Sequence, residues 1–309
     1  HSSWIHLSML SEFAGPLHMQ MRPIYTIICV FLMMHGLVPL AQASNLPSGD
    51  GEFLLEVPQG QMRVLTFVPD TFAPDSPVLI VMHGVKREAD RYRDTWQDIA
   101  AKTNTLLLVP EFSNEMWPKS WGYNDGNMQT KGGQKIPRDA WSFTAIERAF
   151  DKAVTLSGST RSGYKLYGHS AGAQFVNRFI MFTGGPRVER AVAANAGWYT
   201  LPRKADIFPY GLDEINVADE TLREAFSVPL SIQLGEDDND PNSKYLSRTP
   251  EALAQGAHSL SRGASYLAAT QLTAAQMNTR LNWQLKTVPG VGHSNKGMAP
   301  AAAQILLEK

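Results

Sequence analysis

The segment Gly168-His169-Ser170-Ala171-Gly172 sets a serine between two glycines. It follows a short apolar stretch and precedes apolar residues at helical spacing, so it reads as a tight turn from a strand into a helix. A serine on such a turn projects its hydroxyl from the sheet edge, where it can attack a carbonyl carbon. The flanking glycines are needed because a Cβ at either position would run into the neighbouring strand or helix. The N-terminus of the helix that follows favours developing negative charge.

A serine hydroxyl needs a base. Residues 44–309 contain four histidines: His83, His169, His258 and His293. His169 adjoins the serine, but neighbouring side chains on a turn point apart. His258 falls inside what reads as a long helix, and His83 ends an apolar run. His293 closes Val288-Pro289-Gly290-Val291-Gly292-His293, a glycine-containing loop straight after the last strand pattern. An imidazole there can fold back over the sheet edge, so His293 is the expected base.

The acid that orients it is expected in Leu234-Gly235-Glu236-Asp237-Asp238-Asn239-Asp240-Pro241, also after a strand. Asp238 is chosen because one turn after the glycine brings its carboxylate back over the strand end. Asp237 and Asp240 remain rivals. A calcium loop would need further oxygen ligands that this stretch does not evidently supply. Two backbone donors are expected for the oxyanion, the N–H of Ala171 after the serine and the N–H of Val85 after His83-Gly84. This chemistry needs neither metal nor organic cofactor.

The elements that must carry these residues follow from periodicity. Residues 52–57 and 63–68 read as a hairpin joined through Pro58-Gln59-Gly60. Residues 78–82, 105–109, 164–167, 188–194 and 229–234 are short apolar runs, as expected of strands buried on both faces. Trp283, Leu285 and Thr287 mark a last strand. Between them lie helical patterns: Tyr92, Trp96, Ile99 and Ala100; Phe143 to Ala153; Phe175 to Ile180. Thr249 and Pro250 suit the N-cap and first turn of a long helix, and residues 300–307 suit a closing one. The alternation predicts an α/β fold with a mainly parallel central sheet and helices on both faces. Two stretches, 111–138 and 198–226, are irregular and long enough to be binding loops. Trp121 and Tyr123 in the first and Trp198 in the second are expected to bind substrate, with Trp117 and Tyr199 as further candidates for the pocket wall.

Twenty-eight basic residues balance 29 acidic ones, so nothing in the net charge of -1 points to nucleic acid or an anionic membrane. Residues 1–20 read as an upstream extension of unclear status. Residues 21–43 read as a signal peptide: Arg22, an apolar run from Ile24 to Met34, helix breakers Gly36 and Pro39, and small residues at Ala41-Gln42-Ala43. The run is too short for a membrane anchor. The one cysteine, Cys29, lies inside this segment. Residues 44–309 would then form one cysteine-free domain, secreted or periplasmic, with no disulfide and no thiol chemistry.

Together, Val81-Met82-His83-Gly84, Tyr167-Gly168-His169-Ser170-Ala171-Gly172, Leu234-Gly235-Glu236-Asp237-Asp238 and Gly292-His293 resemble an α/β hydrolase. They are similar to the poly(3-hydroxybutyrate) depolymerase-like and dienelactone-hydrolase-like branches of that superfamily. The chain order Ser170, Asp238, His293 is that of α/β hydrolases rather than of the chymotrypsin or subtilisin arrangements. The resemblance covers most of residues 50–309 and implies serine-dependent hydrolysis of a small or oligomeric ester. A peptidase or amidase of the same fold, and a binding protein that keeps the fold without the chemistry, are the alternatives.

Overall fold

The structure, a computed structural model, describes residues 46–308. The upstream extension 1–20, the signal segment 21–43 and Cys29 lie outside the described residues. Among the described residues no helix is long and apolar enough to cross a membrane.

Eight strands form one sheet: β1 (Gly49–Val57), β2 (Gly60–Val68), β3 (Val78–Met82), β4 (Leu106–Pro110), β5 (Tyr164–His169), β6 (Val188–Ala194), β7 (Leu230–Gly235) and β8 (Trp283–Val288). Their spatial order is β1-β2-β4-β3-β5-β6-β7-β8. β1 and β2 form the expected hairpin, with Val57 opposite Gly60 across Pro58-Gln59. β2 is antiparallel to β4, and every pairing from β4 through β3, β5, β6 and β7 to β8 is parallel.

The helices are α1 (Ala89–Lys102), α2 (Lys119–Gly122), α3 (Ser142–Ser157), α4 (Ala171–Thr183), α5 (Asp219–Ser227), α6 (Pro250–Gln255), α7 (Ser259–Gln276) and α8 (Asn295–Leu307). The central strands are continuous in hydrophobicity because each feeds two cores. Val78, Ile80 and Met82 of β3 join Leu106 and Leu108 of β4 in the layer under α3, α4 and α5. Leu79 and Val81 pack on the opposite face with Trp96 and Ala100 of α1 and Ala302 and Leu306 of α8. Period-two alternation thus delivers apolar side chains to both faces.

Two expected helices differ. The long helix from Pro250 ends after six residues at Gly256, whose φ is 149° and where a Cβ would overlap Ser261 Oγ. A second helix then starts, and His258, expected inside the first, is its N-cap, accepting a hydrogen bond from Ser261 N–H at 3.3 Å. The last helix begins at Asn295, five residues before Pro300, because Ser294 caps it by accepting from Gly297 N–H at 3.1 Å. A proline at position 300 suits a first turn, but here it sits inside the helix.

Candidate active site

Residues of the site arise where strands end. Ser170 follows β5, Asp238 follows β7, His293 follows β8 and Val85 follows β3. All four lie at the carboxyl edge of the parallel sheet, the edge at which open α/β sheets present ligand sites.

Ser170 has φ 59° and ψ −117°, outside the regions a serine ordinarily occupies. The turn holds because the chain is crowded there. A Cβ on Gly168 would overlap the Gly172 carbonyl oxygen, and one on Gly172 would overlap the Met82 carbonyl oxygen. The glycines therefore let α4 press against β3 and β5, which fixes the partly exposed serine at the turn. Ala171 is the first residue of α4, so its N–H has no partner four residues back.

The Ser170 hydroxyl donates to His293 Nε2 at 2.9 Å, and His293 Nδ1–H donates to Asp238 Oδ2 at 2.8 Å. A carboxylate only accepts, so Asp238 sets this tautomer. Asp238 is 7% exposed, whereas Asp237 and Asp240 are exposed, so of the three carboxylates the structure brings Asp238 to the histidine. Asn195, which the sequence reading left unassigned, ties the two loops together. Its Oδ1 accepts from Gly235 N–H at 2.8 Å and its Nδ2 donates to Gly292 O at 3.0 Å. Asp237 N–H also donates to Val291 O at 3.0 Å. An asparagine at a strand end before Ala-Gly is a weak signal of such a role, visible only once both loops are seen to meet.

His83 is fully buried and cross-links the loop bearing Val85. Phe112 N–H donates to its Nε2 at 3.0 Å, which leaves Nδ1–H to donate to Gly84 O at 3.1 Å. Tyr123 Oη donates to the His83 carbonyl at 2.7 Å. Burial lowers the His83 pKa to about 3, and burial followed by the charge of His293 puts His169 well below its ordinary value. The His169 ring lies 4.9 Å from that of His293, tilted by 52°, and shares a 3.1 Å hydrogen bond with the Tyr92 hydroxyl.

Both buried imidazoles are neutral in the fold and take a proton once unfolded. Their stabilisation is full above pH 6.5 and is lost as pH falls below it. His83 alone should lower stability by about 2 kcal/mol between pH 7.5 and pH 5 in urea unfolding, and His169 adds to the loss in the same direction. An unfolding free energy unchanged over this range would mean that both imidazoles are charged inside the fold.

The cleft in front of Ser170 has two parts, of about 680 Å³ and 480 Å³, which meet at Ser170 and His293. Trp198 lines the larger part. Arg178, fully buried, lies under it with its guanidinium carbon 4.3 Å from the ring, and Gln174 donates to the Trp198 carbonyl at 3.3 Å. The other expected aromatics are not in the wall. Tyr123 is fully buried against Phe112 and Phe175, with ring centroids 5.0 and 5.6 Å away. Trp121 lines neither part of the cleft. Trp117 packs on Phe112 and Tyr199 on Tyr266. Polar groups missed in the sequence, Asn124 and Gln174, take the wall instead, joined by a 2.7 Å hydrogen bond. Among the described residues no group of three His, Asp or Glu side chains is placed to hold a metal ion.

Fold and cleft define the class: the chain belongs to the α/β-hydrolase family and is a serine hydrolase. Among solved structures, it is 40% identical to poly(aspartic acid) hydrolase-1 from Sphingomonas sp. KT-1, covering 84% of this chain and 99% of that one, with a TM-score of 0.82. It is 33% identical to LpqC, a poly(3-hydroxybutyrate) depolymerase from Bordetella parapertussis, covering 84% and 90%, with a TM-score of 0.79. An S-formylglutathione hydrolase from Agrobacterium tumefaciens, at 14% identity and a TM-score of 0.55 over 85% of this chain and 98% of that one, shares the fold. Scans of protein-family models and of curated proteins gave no match.

Proposed function

We propose that the chain is an exported hydrolase that cleaves carboxylic esters through an acyl-enzyme on Ser170. The observation that carries this reading is the continuous hydrogen-bonded line from Asp238 through His293 to a serine held on a strained turn. Ser170 Oγ attacks the ester carbonyl while His293 Nε2 takes its proton, and Asp238 stabilises the imidazolium. The N–H groups of Ala171 and Val85 receive the oxyanion. His293 returns the proton to the leaving alcohol, and water, activated by the same imidazole, releases the acid. No cofactor takes part in this scheme.

The cleft wall carries Lys86, Arg87 and Lys119, which supports a substrate bearing negative charge. Amide hydrolysis is the second reading, favoured by the 40% identity to an enzyme described as a poly(aspartic acid) hydrolase. Hydrolysis of 4-nitrophenyl esters and the matching 4-nitroanilides, acetyl to octanoyl, separates the two. Faster cleavage of esters together with labelling by a fluorophosphonate is expected. Cleavage of anilides alone would move the amide reading ahead, and no labelling would remove the serine mechanism. Export through residues 21–43 is tested by fractionation, with the mature chain expected to begin at Ser44 and to be free of membrane.

A further inference from the structure

Resting on that reading, we infer that Arg87 is the residue that recognises a carboxylate on the substrate, held in place beside the oxyanion loop before substrate arrives. Lys86, Arg87 and Lys119 all line the cleft, and none of them forms an ion pair among the described residues. Glu88, the one acidic residue lining either part, is paired with Arg91 at 3.4 Å. An anion entering the cleft therefore meets cations whose charge is not already spent.

The three cations are not equivalent. Lys86 and Lys119 are exposed, and lysine is a flexible point charge. Arg87 is half-buried and clamped. Its Nη1 donates to Phe112 O and its Nη2 to Lys119 O, each at 2.7 Å, and its guanidinium carbon lies 4.3 Å from the Tyr123 ring centroid. Of the five N–H donors of a guanidinium, these bonds use two and leave three without a partner. Arg87 also has φ 61°, a left-handed value that a non-glycine residue keeps only when its surroundings enforce it. A side chain fixed in this way loses little freedom when a ligand binds.

Its position links recognition to chemistry. Arg87 N–H donates to Gly84 O at 3.1 Å, closing a turn whose inner residues are Val85 and Lys86. Tyr123, under the guanidinium, also holds the His83 carbonyl at 2.7 Å. Arg87 and Val85 therefore move as one body, and Arg87 lines both parts of the cleft where they meet at Ser170. A carboxylate bound by the free donors is set at a fixed separation from the carbonyl that Ser170 attacks. Carboxylate against guanidinium forms charge-assisted bonds that a lysine cannot reproduce in parallel.

The test compares kcat/KM for monoethyl succinate with that for its neutral isostere, ethyl succinamate, by pH-stat titration at low salt. The native chain should prefer the anion by about 30-fold, and Arg87→Gln should cut this ratio to about threefold, with Arg87→Lys between. The preference should also shrink as sodium chloride is raised. A merely structural role for Arg87 lowers both esters together and leaves the ratio intact, which would overturn the inference. So would a ratio that collapses in Lys119→Gln and persists in Arg87→Gln. If the native chain cleaves both esters without preference, the assignment fails while the hydrolase reading stands. If it cleaves neither, the ester reading falls and takes this inference with it.

Discussion

Ser170→Ala should lower turnover by about 10⁴-fold on any ester that the native chain cleaves. The change removes the one donor that faces His293 Nε2 at 2.9 Å, so no nucleophile remains to be activated. What survives is the help given by the oxyanion donors and by substrate positioning. The fold should not suffer, because the hydroxyl is partly exposed and alanine meets the same backbone strain at φ 59° that serine does. Thermal unfolding of the variant should occur at or slightly above the native temperature. Equal turnover in the two chains would show that Ser170 is not the nucleophile. Asp238→Asn should approach the same loss by a different route, since an amide can hold the wrong imidazole tautomer.

Gly172→Ala is expected to cost about 3 kcal/mol or more of stability. A Cβ there meets the Met82 carbonyl and, at 2.8 Å, the His83 carbonyl oxygen. Both belong to backbone at the end of β3, where Met82 is held by its pairing with Gly168 of β5. The relief available is a shift of α4 away from the sheet, which carries Ser170 with it. Urea unfolding measures the first effect and ester hydrolysis the second. A loss under about 1 kcal/mol with activity kept would mean that the turn is looser than its contacts imply.

What could be read in advance depended on where a residue's surroundings come from. Val78–Met82 is legible because burial on both faces forces an unbroken apolar run. The serine turn is legible because its two glycines flank the serine at a fixed spacing; Gly168 answers to Gly172 four residues on, although Gly172 answers to the distant end of β3. Asp238 was separable from Asp237 and Asp240 only in part, since all follow the same strand and differ in which way one turn points them. The aromatic loop was misread at Tyr123 and Trp121. An aromatic in an irregular segment carries no periodicity, so nothing local tells a wall of the cleft from a buried brace. Arg87, Arg178 and Asn195 escaped for a related reason: each acts through partners far away in sequence, from 22 residues for the Arg178–Thr200 bond to 97 for Asn195–Gly292. His258 and Pro300 show the same limit in the helices, where a glycine and a capping serine shift boundaries that composition alone places elsewhere.

Asn195 spends both ends of one amide on joining the loop of Asp238 to the loop of His293. No other side chain of its size offers a donor and an acceptor in that arrangement, and aspartate offers acceptors alone. Loss of its nitrogen by slow spontaneous deamidation would set a carboxylate against the Gly292 carbonyl, one residue from the imidazole. Beside the Asp237–Val291 backbone bond, the mutual placement of acid and base thus rests on an amide that takes no part in the chemistry.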